Sequence, residues 1–208
     1  MGRAVSAHRL RIQVENDQLA NLRDFPTPMN KRLFIAIDPP QEVCEQLATL
    51  CCGLPEARWT PIEQFHLTLS FIGEVDGTTF LDIRESLAEL AQPSFDLRFK
   101  GVGFFPPRGA PRVVWAGVEA SEPLMQLQRK ITTHLRQQGI ELEKRKYSPH
   151  ITLARLRQTA ESKIGKYLAL NNLFSSSLFP VNQFTLYSSI LGRKRASHIS
   201  EHEYPLTL

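Results

Sequence analysis

Cysteine is scarce and poorly spaced for a structural role. Only three occur in 208 residues, Cys44, Cys51 and Cys52, crowded into one short stretch without a C-x-x-C pair. That pattern argues against a disulfide framework and a cysteine-built zinc site, and suits reduced thiols in a cytoplasmic protein. Long apolar runs are also missing. LFIAI at 33–37 is among the longest, far short of the ~20 residues that span a bilayer. The basic residues near the N-terminus, Arg3, Arg9 and Arg11, are not followed by the apolar stretch of about 7–15 residues that a secretory signal needs. Neither charge sign dominates: 25 Lys and Arg against 21 Asp and Glu leave a net +4. The chain leans towards an anionic partner without carrying a histone-like tail. What remains is a core-forming mixture, 42% hydrophobic and 9% aromatic, which excludes global disorder. Nothing in it demands more than a monomer.

Residues 1–30 end in FPTPMN, where Pro26 and Pro28 mark a boundary or extended linker. Two readings stand for this segment: an extension upstream of a start at Met29, or a segment in which RLRIQVE at 9–15 forms a strand. The main domain is expected over 31–208. RLFIAI reads as a strand, followed by a helix capped by Asp38 with Val43, Leu47, Leu50 and Cys51 on one face. FHLTLSFIG at 65–73 is a second strand, and Phe80, Ile83, Leu87 and Leu90 form the stripe of a helix capped by Thr78 or Thr79. The alternating FDLRFKGVGF at 95–104 closes a first unit. After the loop FPPRGAP the pattern starts over: RVVWAGV at 112–118, a helix opened by Ser121 and Pro123, PHITLAR at 149–155, a weaker helix near 159–170, and FTLYSSIL at 184–191. The interval from leading strand to second strand nearly matches in the two units. An internal duplication follows, with lobe-forming units at 31–104 and 112–191 and a closing segment at 192–208. The expected architecture is α+β and bilobed, with two pseudo-twofold-related lobes, each an antiparallel sheet packed by helices.

Each unit carries the same phrase on its second strand, His66-Leu67-Thr68-Leu69 and His150-Ile151-Thr152-Leu153. Strand alternation puts His66, Thr68 and Ser70 on one face and Leu67, Leu69 and Phe71 on the other. His150 and Thr152 likewise oppose Ile151 and Leu153. The apolar faces belong under helices. Burying imidazole and hydroxyl without partners costs about 1–3 kcal/mol per group, so the polar faces are expected to line a wet groove. Two imidazoles of ordinary pKa ~6.5 can divide acid and base work near neutrality, and two hydroxyls can cradle an anion. No metal or other cofactor is required, and two histidines without further ligands make a poor zinc site.

With the leading RLFIAID, F-H-L-T-L-S-F-I-G and R-V-V-W-A-G, the duplicated H-x-T resembles the two-histidine phosphoesterase superfamily. Within it, the chain is most similar to the RNA 2′,3′-cyclic phosphodiesterases, also called 2′-5′ RNA ligases or LigT-like proteins. The resemblance runs from about Lys31 to the C-terminus. It implies hydrolysis of a terminal 2′,3′-cyclic phosphate of RNA to a 2′-phosphate, with His66 as proton donor, His150 as proton acceptor, and Thr68 and Thr152 on the phosphate. Near-symmetry of the two motifs leaves physics unable to choose the donor. The implied partner is RNA with such an end, tRNA halves or oligonucleotides among them, and the reverse 2′-5′ ligation is open to the same groups. The alternative is a non-catalytic RNA- or nucleotide-binding module using the same groove.

Four further residues are candidate substrate contacts. Trp115 could stack on a nucleobase and Arg112 could pair with phosphate. Tyr147 precedes the second motif and could reach the groove rim. Arg155 ends the second motif strand, but alternation from His150 sends it to the opposite face. Trp115, Arg112 and Tyr147 each have a structural reading of equal weight, and Arg155 ranks below them. Basic clusters at Lys144-Arg145-Lys146, at Arg155 and Arg157, and at Arg193-Lys194-Arg195 could steer an RNA backbone. His8, His134, His198 and His202 are expected in surface or satisfied-core roles.

Overall fold

The strand-like KRLFIAI forms β1 (Lys31–Ile37) with Leu33, Ile35 and Ile37 buried, the first of ten strands that stand with four α-helices among the described residues. The computed structural model describes residues 30–157, 159–192 and 196–207. The strand expected at 9–15 and the basic cluster at 193–195 lie outside the described residues. After β1 come α1 (Gln41–Ala48), β2 (Arg58–Trp59), a 3-10 turn (Ile62–Gln64), β3 (Leu67–Val75) and α2 (Gly77–Ala88). Next follow β4 (Phe95–Leu97), β5 (Phe99–Phe105), β6 (Val113–Val118), α3 (Glu122–Gln137) and β7 (His150–Arg155). The chain continues with α4 (Glu161–Asn171), β8 (Phe179–Val181), β9 (Gln183–Leu191) and β10 (Ala196–Pro205). Among the described residues no helix is long and apolar enough to cross a membrane.

The architecture is α+β with antiparallel sheets in the orders β10-β9-β1-β3 and β2-β7-β6-β5, and a short β4-β8 pair. The sheets do not follow the expected units 31–104 and 112–191. The last strand of each unit crosses over: β5 pairs with β6, the leading strand of the second unit, and β9 pairs with β1, the leading strand of the first. This exchange interlocks the halves around one continuous core, in which Phe99, Leu124, Leu153 and Phe184 are almost fully buried.

Helix ends show where local chemistry decides. Ser121 caps α3, its hydroxyl accepting from the Leu124 amide at 3.3 Å, and Pro123 fits the first turn as expected. Leu124, Leu127, Ile131 and Leu135 then form a buried stripe, each burial contributing about 1.5–3 kcal/mol. The cap of α2 is Asp76, which accepts from the Thr79 amide at 2.9 Å, rather than Thr78 or Thr79. Asp38 caps nothing. The helix starts two residues beyond Pro39, and the Asp38 carboxylate accepts instead from Tyr187 at 2.7 Å and Thr185 at 3.3 Å on β9.

Candidate active site

Both H-x-T-L strands open on one groove of about 1180 Å³, lined by His66, Thr68, His150 and Thr152 together. The alternation that buries Leu67, Leu69, Ile151 and Leu153 leaves the motif histidines and threonines half-buried on the groove side. Each motif strand also carries an irregularity at the same motif leucine. Thr68 lies opposite Ala36 and Ser70 opposite Ile35, so Leu69 is the extra residue. Thr152 lies opposite Trp115 and Ala154 opposite Val114, so Leu153 is the extra residue. Such bulges bend a strand and change which side chains reach a face.

The bulges correct two expectations. Leu153 and Ala154 are both buried, so the parity of β7 flips and Arg155 returns to the groove with His150. In β3 the bulge at Leu69 likewise sets Phe71 opposite Phe34 and turns it out, and a second bulge at Ile72, beside Gly73 with φ 91°, buries Ile72. Phe71 was expected in the core with Leu67 and Leu69. It is instead 64% exposed on the groove wall, 6.1 Å from the ring of Phe34.

The two imidazoles are held alike. His66 Nδ1 is 2.9 Å from the Gln64 carbonyl and His150 Nδ1 is 2.8 Å from the Ser148 carbonyl. A carbonyl can only accept, so Nδ1 carries the proton in both rings and Nε2 is the nitrogen left for chemistry. Burial, followed by the charges of His198 and His150, pushes His66 down to about 4, against the opposing bond to Gln64. His150 is also lowered, by burial first and then Arg145, against the bond to Ser148. Both rings are therefore neutral at pH 7 while no anion is bound.

Tyr147 joins the two motif strands directly. Its hydroxyl donates to the Thr68 carbonyl at 3.1 Å while the residue lines the groove, so it is both anchor and wall. Trp115 and Arg112 are not among the lining residues. The Trp115 indole lies over Gly103 on β5, where an added Cβ would fall 2.2 Å from the ring. It also sits 5.3 Å from Phe105 and 6.1 Å from His150. That is a packing role behind the histidine. Val113 lines the groove, so alternation points its neighbour Arg112 away.

Three groove features are absent from the sequence expectations. His198 on β10 stands beside His66, with ring centroids 5.2 Å apart. Phe34 and Phe105 provide aromatic walls on opposite sheets. Helix α3 adds Gln128, Thr132 and Arg136, whose four-residue spacing puts them on one stripe beside the buried leucines, a signal that was present in the sequence. The expected Lys144, Arg145 and Lys146 line the same side, with Arg145 over the Phe105 ring at 5.5 Å. His134, outside the groove, is satisfied by Ser86 at 3.2 Å between α3 and α2, as expected of a structural histidine.

Comparison with known proteins places the chain in a family. Residues 39–193 match the family described as "2'-5' RNA ligase superfamily". A Thermotoga maritima protein named RNA 2',3'-cyclic phosphodiesterase is 35% identical over 171 residues, 77% of this chain and 87% of the relative. The Escherichia coli protein of the same name is 30% identical over 181 residues, 85% of this chain and 97% of the relative. Among solved structures, E. coli LigT in apo form and the same protein complexed with 3'-AMP each superpose with a TM-score of 0.72 at 28% identity. Each comparison covers 86% of this chain and 99% of that one. The match extends over most of the domain, both histidine motifs included, and on that extent the chain belongs to the 2'-5' RNA ligase superfamily.

Proposed function

We propose that this chain hydrolyses the terminal 2′,3′-cyclic phosphate of RNA to a 2′-phosphate by acid–base catalysis between its two motif histidines. The observation that carries this reading is the pair of equivalent imidazoles in one groove, each tied at Nδ1 to a carbonyl two residues back. Water attacks phosphorus and gives its proton to His150 Nε2. The P–O3′ bond breaks, and His66 Nε2 supplies the proton to the departing 3′ oxygen. Thr68 and Thr152 donate to the non-bridging oxygens as charge grows there. The curated relatives named RNA 2',3'-cyclic phosphodiesterase support the substrate class.

The low proton affinity of His66 in the empty groove is compatible with a donor role. A cyclic phosphate brings one negative charge next to the ring, and an adjacent opposite charge favours the imidazolium. Substrate binding thus loads the acid that the reaction spends. Microscopic reversibility lets the same groups join a cyclic end to a 5′-hydroxyl, with hydrolysis favoured by the excess of water. One chain supplies both histidines, so the site is complete without a second copy. Its three free thiols suit a reducing, cytoplasmic setting.

The test is direct. An oligoribonucleotide ending in a 2′,3′-cyclic phosphate, incubated with the protein and followed by 31P NMR, is expected to yield a 2′-phosphomonoester. No turnover, or a 3′-phosphate product, rejects the reading. The basic wall gives a second expected result. Lys144→Ala with Lys146→Ala should weaken oligonucleotide binding and flatten its salt dependence by about 0.7 in log–log slope for each lost phosphate contact. Turnover of a cyclic mononucleotide, which has no upstream phosphates, should stay unchanged. A wild-type slope in the double variant, measured by fluorescence anisotropy against salt, removes these lysines from the RNA path.

A further inference from the structure

Apart from their shared anchors, the motif histidines have different edge-on neighbours. His150 meets the Phe105 ring at 4.9 Å and 76°. His66 meets the His198 ring at 5.2 Å and 81°. Both neighbours line the groove, one from the end of β5 and the other from β10. Phe34 packs against both rings of the second pair, 5.0 Å from His66 and 4.9 Å from His198, so their relative orientation is held from a third side. One motif histidine therefore faces a ring that never ionises, and the other faces a ring that does.

We propose that His198 is a positioning residue for His66, holding its ring edge-on and controlling whether it carries a proton before substrate arrives. This rests on the two-histidine hydrolysis proposed above and deepens it, because it gives near-identical motifs a physical reason to act unequally. Charged groups bear on this pair from several elements, and the basic wall Lys144, Arg145 and Lys146 with Arg136 of α3 lines the same groove. Asp38, at the end of β1, acts on His198 and is itself bonded by Tyr187 and Thr185 of β9, with Glu203 of β10 acting on Asp38. His150 acts on His66 from across the groove. Arg32, Arg58 and Arg155 line the same space. Burial lowers both His66 and His198, the charge of His198 lowers His66 further, and Asp38 works in the opposite direction on His198. As pH falls and His198 ionises, a second cation 5.2 Å away becomes unfavourable. His66 then stays neutral until the phosphate anion offsets both charges.

His198→Phe gives His66 the kind of neighbour that His150 already has, and His198→Asn gives a polar neighbour that cannot ionise. In both variants the His66 titration midpoint, followed by NMR of the free protein, is expected to rise by about half a pH unit or more, a threefold gain in proton affinity. The acid limb of kcat/KM on a cyclic-phosphate oligonucleotide should move to higher pH by the same amount. A merely structural His198 would lower the melting temperature or raise KM and leave the midpoint where it was. An unchanged His66 midpoint in both folded variants overturns the proposal. Because that midpoint is read without substrate, the result stands apart from the hydrolysis itself, whose failure would show as wild-type protein without turnover.

Discussion

His66→Ala and His150→Ala are each expected to lower kcat on a cyclic-phosphate end by about 10²–10⁴-fold, the contribution of one positioned acid or base. The double variant should cost far less than the product of the two losses, because both groups act in one transition state. Folding should survive. Both side chains are half-buried on the groove wall, and their Nδ1 contacts are to carbonyls of Gln64, half-buried, and Ser148, exposed, rather than to core residues. The pH dependence carries the second half of this result. For free enzyme, kcat/KM requires one imidazole protonated and the other neutral, so its limbs report both groups. One lies at about 4 and the other below its ordinary 6.5. The optimum of kcat/KM is therefore expected on the acid side of 6.5, while kcat, which reports the complex, should peak at higher pH because bound phosphate favours the imidazolium. Removing either histidine should abolish one limb. Retention of activity within threefold in either alanine variant, or an unaltered two-limbed profile, would exclude this pair as acid and base.

The parts of this site that could be read in the sequence are those set by short-range periodicity. The repeated H-x-T-L placed His66, Thr68, His150 and Thr152 on polar faces, and the stripe Leu124, Leu127, Ile131 and Leu135 located α3 with its Ser121 cap. What could not be read depends on partners distant in the chain. Nothing local to FKGVGFF says that it pairs with β6 instead of the first unit's own strands, because that choice is made by packing across the whole core. Bulges are set by the same pairing, so strict alternation misplaced Phe71 and Arg155. Asp38 looked like a helix cap because aspartate before a proline-led helix usually is one, yet two hydroxyls from β9 compete for it. His198 had no motif around it. Its place beside His66 comes from β10 pairing with β9 and β9 with β1, three strands assembled from both ends of the domain.

Thr68→Val and Thr152→Val are expected to reduce kcat by about 10²-fold each, the scale of removing one donor aimed at a developing oxyanion. Valine keeps the β-branch and nearly the same volume, so the strands and the bulges that follow the motifs are preserved while only the hydroxyl is lost. Thr→Ser at either position retains the donor and should recover most of the rate, which separates hydrogen bonding from packing. Thr68 needs one further control, because its carbonyl also accepts the Tyr147 hydroxyl and so helps hold the motif strands together. Tyr147→Phe removes that link without touching the Thr68 side chain. It removes one hydrogen bond in a half-buried position, at a cost of about 0.5–1.5 kcal/mol in stability. If the rate effect of Thr68→Val came from loosening the two strands, Tyr147→Phe would reproduce it and denaturant unfolding would show the same loss in both. If the hydroxyl binds phosphate, Thr68→Val loses rate at wild-type stability and Tyr147→Phe loses stability first. Equal kcat in wild type and both valine variants would remove the threonines from the reaction and leave phosphate binding to the cations of the groove wall, Arg155 first among them.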